Sequence, residues 1–372
     1  MRIMAVVGAR PNFMKIAPIM WAIRRRRGVE GYLVHTGQHY DQKMSELFFE
    51  QLNIPRPNVD LGVGSGSHAV QTAEVMKRIE PVVVEQRPDA LLVVGDVNST
   101  IAAAIVAVKL GVPVAHVEAG LRSFDRAMPE EINRVLTDSI SRWLFVTERS
   151  GIRNLKREGI PEDRIFFVGN VMIDTLLATR QRFEQSPIVS QFALPERGYA
   201  VVTLHRPSNV DDPAVLAGML GLLEELQREI PVVFPIHPRT RKAINGALRV
   251  SRLRLVEPLG YLDFMKLVAH ARMVLTDSGG IQEETTVLGV PCLTLRNNTE
   301  RPATVEEGTN LLVGQDPQRI LTAARQVLSS GGPKAGHTPE LWDGRAADRI
   351  LDVLCRVKGT GSGSTEQESV PA

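Results

Sequence analysis

Two carboxylates and a histidine stand directly after apolar runs that have the length of buried strands. Asp96 follows ALLVVG, Glu118 follows VPVAHV, and His205 follows YAVVTL. In an open α/β sheet, ligands bind at the carboxyl ends of the strands, so these side chains can meet in one cleft. Carboxyl and imidazole groups in a cleft can act as general acids and bases, which exchange a proton with a bound substrate.

The segment HVEAGLRSFDRAMPEEINR, residues 116–134, contains four carboxylates and three arginines. Within it, PEEINR predicts a helix that begins at Pro129, because proline is favoured at the first helical position. Helical spacing places Glu131 on the apolar side of that helix, where partial burial would raise its pKa toward that of a useful acid or base. Glu130 stands four residues before Arg134, and this spacing predicts an ion pair at the surface. The residues that mark the apolar side are Ile132, Val135 and Leu136.

Two turns that follow predicted strands have the composition of anion sites. GARPNFMK, residues 8–15, combines a tight glycine turn, a helix entry and two cations. TDSGGIQEE, residues 276–284, can present bare backbone N–H groups at the start of a helix, where phosphate groups bind. The alternative at both turns is a helix entry that binds no ligand. The candidate anion contacts are Arg10, Lys15, Ser278, Gly279 and Gly280.

Short apolar runs alternate with helical patterns along the whole chain, with about six runs in each half. Continuous apolar runs are typical of parallel strands that are covered on both faces. The alternation therefore predicts an α/β protein with two doubly wound, Rossmann-like domains that face a cleft. The expected divisions are an N-terminal domain over 1–169, a C-terminal domain over 170–344, a returning last helix over 345–357, and a Gly/Ser-rich disordered tail over 359–372.

The composition argues against several classes of partner. The 372 residues carry a net charge of +2 and 5% aromatic residues, a balance that does not favour nucleic acid or a membrane surface. The two cysteines and eight histidines have no metal-ligand spacing, so no metal site is expected. The apolar run near the N-terminus has about five residues, too few for a signal peptide or a membrane span, and we expect a cytoplasmic protein.

Eight blocks in a fixed order resemble the non-hydrolysing UDP-N-acetylglucosamine 2-epimerases. The blocks are GARPNFMKIAP, TGQHYD, GDVNST, HVEAGLRS, MPEEINR, TLHRPSNVD, TDSGGIQEE and RPATVEEGTN. The resemblance implies the double-Rossmann architecture of the GT-B glycosyltransferases, with a last helix that returns to the first domain. It also implies a homodimeric isomerase that interconverts UDP-GlcNAc and UDP-ManNAc and supplies ManNAc-type sugars for cell-surface polysaccharide.

The resemblance implies a mechanism that needs no nicotinamide cofactor and no metal. A base removes the C2 proton while UDP leaves C1, and UDP adds back to the 2-acetamidoglucal intermediate after reprotonation on the other face. By the same resemblance, the catalytic residues are Asp96, Glu118, Glu131 and His205. The implied UDP contacts are Arg10, Lys15, Phe264, Ser278, Gly279, Gly280, Glu284 and Arg301. Spacing alone decides neither between Glu283 and Glu284 at the ribose nor which carboxylate is the base.

The sequence departs from the family pattern in two places. HRPSN stands where many members have HRREN, and Asp41 stands where a glutamine is frequent. Many bacterial members bind a second UDP-GlcNAc as an activator, and the residues here that match such an allosteric site are Gln38, Arg206 and His237. The departures therefore bear mainly on allosteric activation and much less on catalysis.

Three other functions fit part of the pattern. A hydrolysing epimerase, which would release ManNAc and UDP, has the same fold and an overlapping set of carboxylates. A GT-B glycosyltransferase would also bind a nucleotide diphosphate at 278–280, but simple transfer does not require Glu118 and Glu131 at the sugar end. A non-catalytic sensor of nucleotide sugars would have no need of the acid/base set.

Overall fold

Thirteen strands and fifteen helices alternate along the described part of the chain, which comprises residues 1–37, 42–236, 240–241, 244, 253–330 and 336–359 of a computed structural model. The strands form two sheets, and every strand pair in both sheets is parallel. The predicted α/β class with two doubly wound sheets is therefore confirmed. Parallel pairing is also what the continuous apolar runs require, because both faces of such a sheet are covered.

The first sheet has seven strands in the order β3-β2-β1-β4-β5-β6-β7. Its strands are β1 Arg2–Val7, β2 Glu30–His35, β3 Val59–Asp60, β4 Ala90–Val94, β5 Val114–Ala119, β6 Trp143–Val146 and β7 Ile165–Phe167. The helices that connect and follow them are α1 Arg10–Arg25, α2 Gln42–Gln51, α3 His68–Gln86, α4 Asn98–Lys109, α5 Pro129–Ile140, α6 Arg149–Arg157 and α7 Val171–Glu184. The order turns back between β1 and β4, which places a crevice at the carboxyl ends of these two strands.

The second sheet has six strands in the order β10-β9-β8-β11-β12-β13. Its strands are β8 Ala200–Thr203, β9 Val232–Pro235, β10 Arg254–Val256, β11 Met273–Thr276, β12 Cys292–Thr294 and β13 Asn310–Leu312. The remaining helices are α8 Ile188–Gln191, α9 Pro207–Val210, α10 Pro213–Leu226, α11 Tyr261–Ala269, α12 Gly279–Leu288, α13 Pro302–Glu306, α14 Pro317–Ser330 and α15 Ala346–Gly359. Here the order turns back between β8 and β11, which gives a second crevice at their carboxyl ends.

The predicted strands agree with the observed ones except for β3. All six apolar runs of the second half form strands, and the six runs of the first half form β1, β2, β4, β5, β6 and β7. The seventh strand of the first sheet, Val59–Asp60, has only two residues and pairs through Val34↔Val59 and His35↔Asp60. A two-residue edge strand has no apolar run of its own, so the sequence pattern contains no signal for it.

Helix α7 connects the two sheets and packs against helices of both. It contacts α1 of the first half and both α11 and α12 of the second, and one continuous apolar core includes Phe13, Ile173 and Leu267 from these helices. The last helix, α15, packs on α1 and forms the ion pairs Arg25–Asp348 and Arg26–Asp352. The domain division at residue 169 stays a prediction.

Two further expectations concern the ends and surfaces of the chain. The tail predicted at 359–372 lies outside the described residues except for its first residue, which is the last residue of α15. No helix in the described ranges is long and apolar enough to cross a membrane.

Asp174 in α7 binds the start of the last helix, and substitution of Asp174 tests how much this contact stabilises the protein. Its carboxylate accepts hydrogen bonds from the backbone N–H groups of Ala346 at 3.1 Å and Ala347 at 2.7 Å, the first two residues of α15. We expect Asp174→Ala to lower the free energy of unfolding by about 1–2 kcal/mol, because two buried N–H groups lose their acceptor. Urea denaturation measures the change. The control is Asp348→Ala in the same helix, whose half-exposed pair with Arg25 should contribute less than about 0.5 kcal/mol.

Candidate active site

Lys15 and Glu118 form a buried ion pair where α1 approaches the end of β5. Their side chains are 8% and 3% exposed, and Nζ of the lysine donates a hydrogen bond to Oε2 of the glutamate. The other carboxylate oxygen, Oε1, is also buried and has no hydrogen-bond partner within the described residues. An incompletely paired carboxylate is costly to bury. Oε1 is therefore the atom of this pair that is available to a bound substrate.

The backbone at Glu118 has a conformation that is rare for a residue with a side chain. Its φ is +71°, in the left-handed region, and the pairing of β5 with β6 shifts between Val117 and Ala119. A β-bulge of this kind re-aims a side chain, and the left-handed conformation costs about 1–2 kcal/mol. The bulge directs the carboxylate toward Lys15. The sequence gives no indication of it, because the run VPVAHVE is that of a regular strand.

Gly95 brings the next residue, Asp96, beside this ion pair. The φ of Gly95 is +68°, and a β-carbon at this position would lie 2.8 Å from Nζ of Lys15 and 3.6 Å from Oε2 of Glu118. Only glycine fits such a close approach in this conformation. The turn after β4 therefore lies directly against the Lys15–Glu118 pair.

Asp96 is paired with an arginine from α5. Its Oδ2 lies 2.6 Å from a terminal nitrogen of Arg134, and its backbone carbonyl accepts a hydrogen bond from Asn133 at 2.9 Å. Burial alone would raise the pKa of Asp96, but the charges of Arg134 and Lys15 outweigh it and hold the pKa below its usual value. Asp96 is therefore a carboxylate at neutral pH.

Helix α5 faces the sheet with polar side chains, which corrects two expectations. Arg134 is 2% exposed and pairs with Asp96 and Glu131, so the predicted surface pair with Glu130 is wrong. Ile132 and Leu136, which were expected to mark the inward side, are 43% and 48% exposed. The side of this helix that faces the sheet carries charged and polar residues instead of the apolar ones. The buried residues on this side are Glu131, Arg134, Thr137 and Asp138.

Glu131 is buried as predicted, but both of its oxygens are occupied. Oε2 accepts hydrogen bonds from the backbone and the hydroxyl of Ser123, each at 3.0 Å, and contacts Arg134. Oε1 accepts a hydrogen bond from the backbone of Phe124 at 3.0 Å. In this arrangement Glu131 fixes the 123–124 loop and orients Arg134 toward Asp96. Its predicted role as an acid or base stays a prediction.

His205 lies at the end of β8, where it pairs with Asp277 at the end of β11. Nδ1 of His205 is 2.7 Å from Oδ1 of Asp277. Oδ2 of Asp277 accepts hydrogen bonds from the backbone of Arg206 at 2.9 Å and from Asn209 at 3.0 Å. Burial alone would raise the pKa of Asp277, but His205 and these donors lower it to about 2. The permanent charge of Asp277 therefore fixes the orientation of His205.

The glycine turn at the start of α12 lies directly on Arg301. A β-carbon at Gly279 would lie 2.4 Å from a terminal nitrogen of Arg301, and one at Gly280 would lie 3.0 Å from the Met172 side chain. The hydroxyl of Ser278, the N-cap residue, makes no capping hydrogen bond. The N–H of Ser278 donates to the Thr276 hydroxyl at 3.0 Å, so the backbone donors at this turn are those of Gly279 and Gly280. These N–H groups, a helix N-terminus and a guanidinium meet at one place, which is the arrangement expected for a phosphate site.

Two consecutive glutamates of α12 are buried and hard to ionise. Burial raises the pKa of Glu283 to about 7, although Arg301 lies 2.9 Å away and favours the charged form. Burial raises the pKa of Glu284 to about 8, and its Oε1 accepts a hydrogen bond from the Tyr261 hydroxyl at 3.0 Å. The charge of Glu118 also raises the pKa of Glu283, so the electrostatics of the two sheets' crevices are connected.

Two further predicted UDP contacts, Arg10 and Phe264, belong to helices α1 and α11. Arg10 is the first residue of α1, and its guanidinium lies 5.8 Å from the centre of the Phe48 ring in α2. Phe264 is part of α11 and packs against the main core while remaining half-buried.

Only one of the three candidates for a second nucleotide-sugar site can be placed. Arg206 donates a hydrogen bond from Nε to the carbonyl of Asp277 at 3.0 Å, and a terminal nitrogen lies 4.0 Å from the sulfur of Met128 in the first half. Arg206 thus contacts residues of both halves of the chain. Gln38 and His237 lie outside the described residues.

Several buried charged residues of the site were not predicted from sequence. Glu300 accepts hydrogen bonds from Arg296 at 2.7 Å and from Arg301 at 2.6 Å, and although burial opposes ionisation, these arginines hold its pKa well below the usual value. Asp277 was also missed. Its position at a strand end, immediately before the glycine turn, was the available signal. The dense alternation of charge in LRNNTERP was the signal for Arg296 and Glu300.

The chemistry of the site is that of an acid/base centre beside an anion site. Glu118 and Asp96 provide carboxylates at the end of one sheet, and Arg301 and the 278–280 turn provide cationic and N–H groups at the end of the other. Within the described ranges, no group of three or more His, Cys, Asp or Glu side chains has an arrangement that could hold a metal ion.

Comparisons with known proteins agree with this arrangement. The sequence profile of the family described as UDP-N-acetylglucosamine 2-epimerase matches residues 21–355. The UDP-N-acetylglucosamine 2-epimerase of Methanocaldococcus jannaschii is 41% identical, with 95% of this chain and 99% of that protein covered. Its crystal structure in complex with UDP-GlcNAc and UDP superimposes with a TM-score of 0.90 over 96% of this chain and 100% of that one. The UDP-2,3-diacetamido-2,3-dideoxy-D-glucuronate 2-epimerase of Pseudomonas aeruginosa is 42% identical, with 96% of this chain and 100% of that protein covered.

The raised pKa of Glu283 predicts a pH dependence of stability. Because burial raises the pKa from 4.5 to about 7, the folded protein binds this proton more tightly than the unfolded chain does. The corresponding stability is complete below pH 4.5 and is lost as the pH rises through 7. Between pH 5 and pH 8, the free energy of unfolding of the wild type should therefore fall relative to that of Glu283→Gln, by on the order of 2 kcal/mol.

Denaturant titrations of both proteins across this pH range measure the difference. Groups distant from Glu283 titrate equally in both proteins and cancel, whereas the pKa values of Glu148 and Glu284, which the charge of Glu283 helps to raise, also change in Glu283→Gln. Glu306→Gln, at an exposed glutamate in α13, controls for the change in net charge and should run parallel to the wild type. Parallel curves for Glu283→Gln would show that Glu283 keeps the same charge over this range.

Proposed function

The chain belongs to the UDP-N-acetylglucosamine 2-epimerase family, and on this premise we propose that it interconverts UDP-GlcNAc and UDP-ManNAc without releasing a free sugar. It is an isomerase of nucleotide sugars. The observation that carries the proposal is the buried Lys15–Glu118 ion pair, which lies against the Gly95 turn and leaves Oε1 of the glutamate without a hydrogen-bond partner among the described residues. A carboxylate so placed can exchange a proton with a sugar whose diphosphate rests on the 278–280 turn.

The proposed reaction is an elimination followed by re-addition. A carboxylate removes the C2 proton, the C–H electron pair forms a C1–C2 double bond, and the C1–O bond breaks with its electron pair on UDP. A proton is then delivered to C2 from the opposite face, and a diphosphate oxygen of UDP attacks C1. Glu118 and Asp96 are the proposed proton-exchanging pair, because Glu131 has both oxygens held by the 123–124 loop and Arg134. One of the two removes the C2 proton as a carboxylate. The other delivers a proton and must therefore be protonated in the complex with the nucleotide sugar, although Asp96 is ionised in the free protein.

The second sheet holds the leaving group in this proposal. Charge develops on the diphosphate as the C1–O bond breaks, and preorganised N–H groups and cations stabilise such charge. The N-terminus of α12 and the buried guanidinium of Arg301 supply both. His205, held by Asp277, faces the same crevice as a candidate donor to the diphosphate or the sugar. Glu284 is the proposed ribose contact, as the family resemblance implies.

The alternatives give different products, so one experiment tests the proposal. The protein is incubated with UDP-GlcNAc in D2O and followed by proton NMR. Deuterium at C2 together with UDP-ManNAc supports the proposal, free ManNAc with UDP indicates a hydrolysing epimerase, and no exchange in any nucleotide sugar contradicts an epimerase. Because a relative acts on UDP-2,3-diacetamido-2,3-dideoxy-D-glucuronate, that nucleotide sugar is the second substrate to assay.

The role of Glu118 is tested by Glu118→Gln. The amide cannot accept the C2 proton, so the rate of deuterium exchange at C2 should fall by at least about 10²-fold. Binding of UDP should remain within about threefold of the wild type, as measured by calorimetry, because six of the eight proposed UDP contacts lie in the second half of the chain. The surface variant Glu306→Gln should retain full exchange. A parallel loss of UDP binding would mean that Glu118 serves the structure of the site instead of the proton transfer.

A homodimer is the proposed state of assembly, as the family resemblance implies. In support, α3, α4 and α5 pack side by side, and a groove of about 400 Å³ between α3 and α5 is lined by apolar atoms of Ala73, Met76 and Ile132. Val70, Ile132 and Leu136 on this face are 58%, 43% and 48% exposed. Light scattering should give a dimer mass for the wild type and a monomer mass for Leu136→Glu. A monomeric wild type would contradict the proposal.

The setting in the cell is also a proposal. We place the enzyme in the cytoplasm, where it would supply ManNAc-type sugars for cell-surface polysaccharide, because the family resemblance implies this use. Detection of UDP-ManNAc-dependent polysaccharide in cells with the gene, and its loss on deletion, is the corresponding observation.

A further inference from the structure

Asp138 is a fully buried aspartate that lies in α5 one turn beyond Arg134 and takes no part in the reaction proposed above. Its Oδ1 lies 2.7 Å from Nδ1 of His116. Its Oδ2 accepts a hydrogen bond from the backbone N–H of Gly120 at 3.0 Å and lies 2.7 Å from a terminal nitrogen of Arg122. Burial alone would raise the pKa of Asp138, but His116 and Arg122 outweigh it and lower the pKa below its usual value. Asp138 is therefore a carboxylate in the folded protein.

The ring of His116 connects this carboxylate to the neighbouring strand. Its Nε2 lies 2.8 Å from the backbone carbonyl of Gly95, and the side chain is fully buried. A carbonyl oxygen only accepts hydrogen bonds, so Nε2 must carry a hydrogen. Nδ1 lies at hydrogen-bond distance from the carboxyl group of Asp138. The imidazole ring thus connects the Asp138 carboxyl group to the Gly95 carbonyl.

The residues that Asp138 contacts lie on both sides of Glu118 in the sequence. His116 precedes Glu118 by two residues, and Gly120 follows it by two, so Asp138 holds the strand on both sides of the left-handed residue. The carbonyl of Gly120 is held in turn by Asn154 at 2.9 Å. A strained backbone conformation persists only where its surroundings impose it, and these contacts are the ones that do so here.

The hydrogen bonds of Asp138 also extend to the backbone beside Asp96, the second proposed catalytic carboxylate. Through His116, Asp138 also fixes the carbonyl of Gly95, and Asp96 is the next residue. One buried carboxylate therefore connects the backbones that carry both proton-exchanging groups, although it lies outside the crevice itself.

We propose that Asp138, acting through His116 and Gly120, is a positioning residue that holds Glu118 and Asp96 in their reactive orientation. The inference rests on the proposed epimerase function. Asp138 binds no substrate group in this role and exchanges no proton. Its function is to keep the bulge of β5 and the turn after β4 in register with each other.

The direct test is Asp138→Asn, assayed by C2 deuterium exchange in UDP-GlcNAc. The asparagine has the same shape, but its amide nitrogen cannot accept a hydrogen bond from His116 or Gly120. We expect kcat to fall about 10²-fold, because small displacements of reacting groups cost rates of this size. KM and the Kd for UDP should stay within about threefold, since six of the eight proposed UDP contacts lie in the second half of the chain.

Two control variants separate positioning from general destabilisation. Asp174→Asn makes the same change at another buried aspartate, whose carboxylate accepts hydrogen bonds from two backbone N–H groups of α15, and should leave kcat within about twofold. Glu158 is the outer carboxylate partner of Arg122, and its side chain is 35% exposed. Glu158→Gln removes this charge and should have an equally small effect on kcat. A kcat for Asp138→Asn equal to that of these controls would overturn the proposal, as would a parallel loss of UDP binding.

A measurement on the wild-type protein keeps the proposal testable if the variant does not fold. In ¹⁵N NMR at pH 7.5, Nε2 of His116 should have the shift of an N–H group, because it donates to the Gly95 carbonyl. The signals are assigned by their loss in His116→Gln. An Nε2 that carries no hydrogen would overturn the proposal, since it could not bond that carbonyl. This measurement does not depend on activity, so it distinguishes a failure of the proposed positioning role from a failure of the epimerase assignment.

Discussion

The buried ion pair between Lys15 and Glu118 is the interaction on which the rest of the site depends. Two charges removed from water are stable only with close partners and a fixed geometry. The geometry here requires a lysine from the first helix, a bulge in β5, and a glycine at position 95 that leaves room for the ammonium group. Each of these features is unfavourable or permissive by itself, and together they present one unpaired carboxylate oxygen to the crevice.

Electrostatics divide the site into two kinds of carboxyl group. Asp96 and Asp277 lie beside cationic side chains, which hold their pKa below the usual value against the effect of burial. At Glu283 and Glu284 the effect of burial outweighs the nearby charges and donors, and it raises their pKa to about 7 and about 8. In the proposed reaction, a protonated carboxyl group near the nucleotide does not repel the anionic leaving group.

The sequence predicted the architecture well because parallel strands leave continuous apolar runs, and only the two-residue strand β3 had no run to detect. It also placed the strand-end residues correctly, since sheet topology brings them to one edge. What it could not predict were side-chain directions. The pairing of Arg134 with Asp96 instead of Glu130, and the polar inward face of α5, follow from how that helix is rotated against the sheet. The His116–Asp138 contact likewise joins a strand to a helix that only the folded chain brings together.

The glycine turn on Arg301 has a consequence for how substrate range can change in this protein. The contacts available to the diphosphate at 278–280 come from the backbone, and any side chain at Gly279 would collide with the guanidinium. Substitution at Gly279 therefore cannot alter this turn without displacing Arg301. The loop held by Glu131 has no such restriction, because its Phe124 side chain is 72% exposed. In the proposed binding mode, a change of substrate range would therefore arise from residues outside the 278–280 turn.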